Sequence, residues 1–167
     1  MSIEDDLKEW LKDCSRLVIL GIGNPLRGDD ALGLEILKRL KGKLPKNVKV
    51  INGGATPENF VGKIRRFNPS HVLLIDATRF NGKPGEARLI SPSQISGAVI
   101  STHTMPLYIL ANLINKSTGA RILLLGIEPK YLNLGEKISP EIKEAIEKSA
   151  KLIINVVSKI SHKPCFA

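Results

Sequence analysis

The chain of 167 residues is poor in aromatic residues, with four Phe, two Tyr and one Trp. Proteins that bind single-stranded nucleic acids stack bases on aromatic side chains set among basic ones, so this scarcity argues against nucleic-acid binding despite a net charge of +9. No apolar run approaches the roughly 18 to 20 residues of a membrane span, and the acidic, amphipathic segment 1–13 does not have the pattern of a signal peptide. We therefore expect neither a nucleic-acid nor a membrane partner.

Cysteine is also scarce, with only Cys14 and Cys165 near opposite ends of the chain. Neither belongs to a Cys-x-x-Cys pair or to a Cys/His spacing typical of a zinc site. A disulfide between the two cysteines depends on geometry that the sequence does not give. This usage of cysteine favours a reducing compartment, and we expect a cytoplasmic protein.

Apolar strand patterns alternate with amphipathic helix patterns along the chain, which predicts an α/β fold. The domain expected over residues 1–167 is single and three-layered, with a mostly parallel twisted sheet and helices on both faces. Strands are predicted at 17–21, 48–51, 72–75 and 121–126, with an extra edge strand within 85–90. Helices are predicted at 3–13, from Thr56 to about 67, from 104–106 to about 115, and from Ser139 to about 160.

The segment 21–33, GIGNPLRGDDALG, forms a strand-to-helix turn because it lies between an apolar strand and an amphipathic helix. A dinucleotide-binding turn needs glycine where this chain has Leu26, and a phosphate-binding loop needs Lys and a hydroxyl residue in place of Asp29 and Asp30. Two adjacent carboxylates repel phosphate and favour a divalent cation. The alternative is structural, with Asp29 as a helix N-cap and Asp30 as a first-turn residue that complements the helix dipole.

Polar side chains also follow the other predicted strands, and a histidine lies in a loop near the same edge of the sheet; these residues are Asn52, Asp76, Glu128 and His103. In open parallel sheets, ligands bind at the carboxyl ends of the strands. Carboxylates combined with an imidazole favour nickel or zinc over magnesium. The alternative for His103 is a helix-entry residue bonded to backbone, while His71 and His162 are poorer ligand candidates.

Four blocks in this order resemble the hydrogenase maturation endopeptidases, and more narrowly the branch that processes hydrogenase 3-type large subunits: GIGNPLRGDDALG, VLLIDAT, STHTMPL, and LLLGIEP with LGEKISPEI. The resemblance spans residues 17–150. It implies an aspartyl-type endopeptidase that removes a C-terminal extension from the large-subunit precursor of a [NiFe] hydrogenase after nickel insertion. The sequence contains neither the His-Glu-x-x-His motif of zinc proteases nor the Gly-x-Ser-x-Gly motif of serine hydrolases.

The resemblance assigns the metal ligands to Asp30, Asp76 and His103. The metal it implies is the nickel of the substrate, with zinc or cadmium as alternative occupants in crystals. The catalytic group is not assigned, and its candidates are Asp29, Asp30 and Asp76. The residues expected to form the substrate-binding loop and to supply N–H groups to an oxyanion are Gly23, Asn24, Asn52, Gly53 and Gly54.

The chain departs from the family pattern at two positions. Many relatives have Glu in place of Asp30, and they commonly have Asp-Gly-Gly where this chain has Asn52, Gly53 and Gly54. The first change keeps a carboxylate, whereas the second removes a possible general base. A nickel-binding hydrogenase assembly chaperone without peptidase activity remains the alternative function, and a nucleotide-binding module is disfavoured by the charge of the two aspartates.

Overall fold

A computed structural model describes residues 2–98, 100–101 and 105–160. Its helices are α1 (Ile3–Trp10), α2 (Leu32–Leu40), α3 (Val61–Phe67), α4 (Pro92–Ala98), α5 (Leu107–Thr118) and α6 (Pro140–Val157). Its strands are β1 (Leu17–Ile22), β2 (Val48–Gly54), β3 (His71–Arg79), β4 (Ala87–Ile90), β5 (Ile100–Ser101) and β6 (Arg121–Ile127). Short 3₁₀ turns at Gly28–Ala31 and Pro57–Phe60 precede α2 and α3.

The strands form one mostly parallel sheet in the order β2-β1-β3-β6-β4. The first four strands of this order are parallel, β4 adds an antiparallel edge next to β6, and β5 pairs with the end of β3. The strand order reverses at β1, whose neighbours β2 and β3 follow it in sequence. This arrangement confirms the predicted α/β class and the predicted edge strand, and it puts the topological switch point, where open sheets of this kind bind ligands, at the carboxyl ends of β1 and β3.

Helices cover both faces of the sheet, and each face has its own apolar core. Alternating residues of β1 and β3 divide between the two: Ile19 and Leu73 pack with α1, α2 and α6, whereas Val18 and Leu74 pack with α3 and α5. Both strands are buried, β1 over residues 17–22 and β3 over residues 71–78, as expected for a parallel sheet covered on each side.

That residues 1–167 form a single domain stays a prediction. Within the described residues, no helix has the length and apolar character needed to cross a bilayer.

Several elements end at other residues than the sequence predicts. The sequence predicts that β2 ends before a turn at residues 52–54, and that β3 ends at Asp76, but β2 runs to Gly54 and β3 to Arg79. Both strands continue because distant strands pair with their ends: Ile22 aligns with Gly54, and Thr78 aligns with Ser101. Asp76 therefore lies inside a strand.

Helices α1 and α6 begin after Ser2 and Ser139 as predicted, whereas α3 begins at Val61, after a 3₁₀ turn, and α5 begins at Leu107, just after the start predicted at 104–106. Of the caps predicted at Ser2 and Thr56, the first is confirmed and the second is not. Ser2 caps α1 through a 3.2 Å bond from the Asp5 N–H to its Oγ, although α1 ends at Trp10 rather than at residue 13. Thr56 makes no capping bond because the chain enters α3 through a 3₁₀ turn. The inward face predicted for α6, which includes Ile142, Ile146, Ala150 and Ile153, is buried.

Gly33 sets the distance between α2 and the sheet. A Cβ at this position would lie 2.6 Å from the Ile22 carbonyl oxygen and 2.7 Å from the Ile75 carbonyl oxygen. Since both neighbours are backbone atoms of buried strands, only glycine allows the first turn of α2 to lie this close to β1 and β3. The helix start is thereby held against the carboxyl end of the sheet.

The buried imidazole of His71 makes the stability of the fold depend on pH. It is 2% exposed at the start of β3 and packs edge-on against Trp10, with ring centroids 4.8 Å apart. Burial lowers the pKa of His71 below its usual 6.5, and the nearby Arg121 lowers it further. As pH falls below 6.5, the unfolded chain takes up a proton that the folded protein resists.

We therefore expect the free energy of unfolding, measured by urea denaturation, to decrease between pH 7 and pH 5. In the His71→Phe variant, which keeps a ring against Trp10, this part of the pH dependence should be absent. Equal slopes for the two proteins would show that His71 is not responsible.

Candidate functional site

The candidate site lies at the carboxyl edge of the sheet, where the 3₁₀ turn Gly28–Ala31 contacts β3. This contact brings two predicted carboxylates to the same edge from separate parts of the chain. Asp30 in the turn is 3% exposed, and Asp76 in β3 is 0% exposed. Buried carboxylates are rare unless hydrogen bonds or cations compensate their charge. The structure thus places Asp30 and Asp76 buried in two elements that contact each other, and their joint role stays a prediction.

Asp30 is held by the turn that precedes it. Its Oδ2 accepts a 2.9 Å hydrogen bond from the Asn24 N–H, and the Asn24 Oδ1 in turn accepts one from the Leu26 N–H. Gly23 allows this turn because its φ is +152° and a Cβ there would lie 1.9 Å from the Asp30 carbonyl oxygen. Gly23 and Asn24, predicted to contact substrate, therefore also fix the position of the Asp30 carboxylate.

Asp76 lies at the centre of the sheet, where β3 aligns it with Gly126 of β6. The Thr78 hydroxyl, also buried, donates to the Asp76 carbonyl oxygen at 3.3 Å. A Cβ at Gly126 would lie 3.1 Å from the Thr78 side chain, so glycine gives the threonine room on the neighbouring strand. Asp76 is thus fixed by two central strands rather than by a loop.

Asp29 has surroundings that differ from those of its neighbour Asp30. Its carboxylate accepts four hydrogen bonds: from the N–H groups of Lys130 and Tyr131 at 2.8 and 2.9 Å, and from the N–H and Oγ–H of Ser139 at 2.8 and 2.6 Å. The Asp29 N–H also donates to the Tyr131 carbonyl at 2.9 Å. Asp29 is therefore not a helix N-cap, as one interpretation of the sequence proposed. It joins the turn after β1 to the loop before α6.

The glycines at the end of β2 lie beside the turn that follows β1. The Gly23 N–H donates to the Gly54 carbonyl at 2.9 Å, and the Asn52 Oδ1 accepts a 3.0 Å bond from the Gly54 N–H. Gly53 is buried, and a Cβ there would lie 3.0 Å from the Gly21 carbonyl oxygen. The structure thus brings together the two segments predicted to form the substrate-binding loop, with Asn52 exposed.

Glu128, a further acidic residue that follows a strand, has a structural role in holding a loop. Its Oε1 accepts hydrogen bonds from the Phe80 and Gly82 N–H groups at 2.9 and 2.8 Å, and Arg79 forms an ion pair with its Oε2 at 3.7 Å. The side chain is almost fully buried. Glu128 therefore holds the loop between β3 and β4 in place.

His103, the predicted third metal ligand, lies outside the described residues, as does His162. His71 is described, but it lies at the amino end of β3, away from the carboxyl end that carries Asp76, and it packs against Trp10. In the ranges 2–98, 100–101 and 105–160, no three His, Cys, Asp or Glu side chains form a group that could hold a metal ion. The assignment of Asp30, Asp76 and His103 as ligands stays a prediction.

Ser139 and Thr78 are the site residues that the sequence does not reveal. Ser139 precedes Pro140 and Glu141, a pattern typical of a helix start, and this pattern accounts for the residue without any role for its hydroxyl. In the structure its Oγ donates to Asp29 and makes no capping bond to α6. The residues around Ser139 give no signal for this contact, because Asp29 lies 110 positions earlier in the chain.

Comparison with known proteins agrees with this fold. The family model of the HycI hydrogenase maturation proteases matches residues 34–156. The chain belongs to the hydrogenase maturation protease family. It is therefore a peptidase, as the resemblance of its sequence blocks implies. The matched region includes Asp76 and begins just after Asp29 and Asp30.

Individual relatives match over most of their length. The hydrogenase 3 maturation protease of Escherichia coli is 34% identical over 131 residues, which is 78% of this chain and 83% of the relative. The crystal structure of a [NiFe] hydrogenase maturation protease HycI from Thermococcus kodakarensis has 40% identity and a TM-score of 0.84, covering 91% of this chain and 98% of that one. The solution structure of the endopeptidase HycI from E. coli has 30% identity and a TM-score of 0.75, covering 92% and 96%.

Removing the charge of Asp29 should destabilise the protein. In Asp29→Asn, an amide group replaces one acceptor oxygen and meets backbone N–H donors, so we expect a loss of about 3 kcal/mol in the free energy of unfolding. Ser139→Ala removes only one of the four donors and should cost about 1 kcal/mol. Denaturant unfolding of both variants measures these differences.

The matched control is Asp30→Asn, because it makes the same chemical change at the next residue. An asparagine oxygen can still accept the Asn24 N–H bond that the Asp30 Oδ2 accepts, so we expect Asp30→Asn to lose less stability than Asp29→Asn. A larger loss for Asp30→Asn than for Asp29→Asn would contradict the structural role of Asp29.

Proposed function

We propose that this protein is a cytoplasmic, aspartyl-type endopeptidase that removes a C-terminal extension from the nickel-loaded large-subunit precursor of a [NiFe] hydrogenase. Asp30, Asp76 and His103 would recognise the nickel of the substrate. The observation that carries this proposal is the pair of buried carboxylates, Asp30 and Asp76, at one sheet edge in a chain of the hydrogenase maturation protease family.

The chemistry of the donor set fits a nickel ion carried by the substrate. Carboxylate oxygens and an imidazole nitrogen are ligands that nickel accepts, and soft thiolate ligands are not needed from the protease. Asp30 is held by the Asn24 N–H, and Asp76 lies in the central strand β3 beside β6, so regular elements of the fold position both carboxylates. The third ligand, His103, rests on the sequence pattern and the resemblance.

The glycine-rich segments beside Asp30 support binding of a peptide. Gly54 carries no side chain that would keep a substrate backbone away, since a Cβ there would meet only the Asn52 Oδ1, at 3.9 Å, and Asn52 is itself exposed. Backbone N–H groups of this region would stabilise the negative charge that develops on the carbonyl oxygen during hydrolysis. The bound metal would supply Lewis acidity and orientation to the peptide bond.

The three candidate carboxylates for activating the attacking water are not equivalent. Asp29 is the weakest candidate because four donors from Lys130, Tyr131 and Ser139 already occupy its two oxygens. We therefore assign Asp29 to positioning the turn, and we assign proton transfer to Asp30 or Asp76. Either would act as a general base towards water and then return the proton to the leaving amine.

Mass spectrometry of a purified large-subunit precursor, incubated with this protein, tests the proposal. We expect loss of a C-terminal peptide from the nickel-loaded precursor and no cleavage of the nickel-free precursor. Asp30→Asn and His103→Ala should reduce the cleavage rate by at least about 100-fold, because each removes a metal ligand. Circular dichroism and thermal unfolding of the same samples show whether the variants are folded.

Cleavage at the normal rate by folded His103→Ala would contradict its role as a ligand. Equal cleavage of nickel-loaded and nickel-free precursor would contradict recognition of nickel. If the protein binds nickel but cuts neither precursor, the function as a nickel-binding assembly chaperone would replace the proposal.

A further inference from the structure

The strand β2 (Val48–Gly54) forms an open edge of the sheet. In the part of the chain that the structure describes, β1 is its only strand partner. The backbone N–H and C=O groups on its outer side therefore face away from the sheet, and Val48, Lys49 and Val50 are only half-buried. Such an edge can pair with an added strand from another polypeptide.

An apolar groove runs along this edge between β2 and α2. Its volume is about 480 Å³, and its lining includes Leu37, Leu44, Val48 and Val50. The alternation of side chains along a strand places Val48, Val50 and Asn52 on the same face, and Asn52 lines the end of the groove. The groove thus leads from the surface of β2 to the glycines beside the candidate site.

The same region has an unusual concentration of positive charge. Residues 36–57 contain no Asp or Glu, and they contain six basic residues: Lys38, Arg39, Lys41, Lys43, Lys46 and Lys49. Glu35 pairs with Lys38 and Arg39, and Glu147 also pairs with Arg39. Among the described residues, no acidic side chain forms an ion pair with Lys41, Lys43 or Lys46, and all three are exposed. This surface is complementary to a segment rich in carboxylates.

We propose that β2 and its groove bind an extended, acidic segment of the large-subunit precursor as an added strand. This inference rests on the proposed function, since the precursor is the partner. Apolar side chains of the bound segment would enter the groove at alternate positions, and its carboxylates would pair with Lys41, Lys43 and Lys46. The Gly23 N–H donates a hydrogen bond to the Gly54 carbonyl, so the end of β2 adjoins the turn that holds Asp30. A segment that pairs along β2 would therefore end beside this turn.

Lysines near an edge strand also discourage unspecific pairing between sheets. That effect explains why other strands avoid the edge, but it does not explain an apolar groove that continues to Asn52. Protection of the edge and binding of an acidic segment are compatible, because the lysines repel basic segments and attract acidic ones. Electrostatic attraction of this kind also increases the rate of association, and salt weakens it.

The nickel-free precursor is a suitable probe because the proposed function expects that it is not cut. We would measure its dissociation constant for the wild-type protein, for the triple variant Lys41→Glu, Lys43→Glu and Lys46→Glu, and for a control with the same change of net charge. The control reverses Lys63, Lys116 and Lys143, which are exposed on α3, α5 and α6. Hydrogen exchange of the β2 amides with and without precursor reports strand addition.

We expect the triple variant to bind roughly tenfold more weakly than the control, because several charge contacts are lost. In the wild-type protein, precursor binding should slow exchange of outward-facing amides in residues 48–51. With nickel-loaded precursor, the triple variant should have a raised KM and an unchanged kcat, since it retains Asp30, Asp76 and His103.

Binding without protection of β2, or equal affinities for the triple variant and the control, would overturn the inference. Normal cleavage of nickel-loaded precursor with no effect of the triple variant on KM would overturn it while leaving the proposed function intact. Protection of β2 by the precursor, together with no cleavage of either its nickel-loaded or its nickel-free form, would support docking and contradict the proposed function. Tighter, lysine-dependent binding of a DNA or RNA oligonucleotide than of the precursor would assign this surface to nucleic acid and overturn the inference.

Discussion

The candidate site depends on the interaction of one buried carboxylate, Asp29, with the loop before α6. Four hydrogen bonds converge on its two oxygens, and three come from backbone N–H groups that would otherwise need another acceptor. Hydrogen bonds to a charged acceptor are stronger than neutral ones, and unmade ones are costly in a buried place. The bonds therefore fix the turn Gly28–Ala31, and with it the position of Asp30.

Two adjacent aspartates consequently have different roles. Asp29 is directed toward residues 130–139, whereas Asp30 accepts a hydrogen bond from Asn24 within its own turn. Gly33 places the start of α2 against Ile22 and Ile75, so this turn lies over the strand that carries Asp76. A rigid support of this kind is what a site needs if it is to recognise a metal ion carried by another protein.

Local patterns in the sequence predict much of the fold, because they reflect local physical chemistry. The Ser2 cap, the inward face of α6 and the continuous apolar strands each depend on residues close in sequence. The ends of β2 and β3 do not, because they are set by pairing with Ile22 and Ser101. For the same reason, the bond between Asp29 and Ser139 connects residues 110 positions apart and could not be read from either neighbourhood. The candidate carboxylates were predicted from their positions after strands, but the difference between Asp29 and Asp30 required the structure.

The proposed function and the proposed docking surface use separate parts of the molecule. Carboxylates at the carboxyl end of the sheet would recognise the metal, the glycine-rich segments would admit the peptide, and the basic edge strand β2 would select an acidic segment. The proposal depends above all on contact of Asp30, Asp76 and His103 with nickel carried by the precursor. The most direct test is nickel K-edge X-ray absorption of the precursor, recorded alone and rapidly frozen after mixing with the protein. We expect nickel to gain oxygen and nitrogen ligands on mixing, and Asp30→Asn to reduce this change. An unchanged nickel spectrum in a mixture that forms the complex would contradict contact between these residues and nickel.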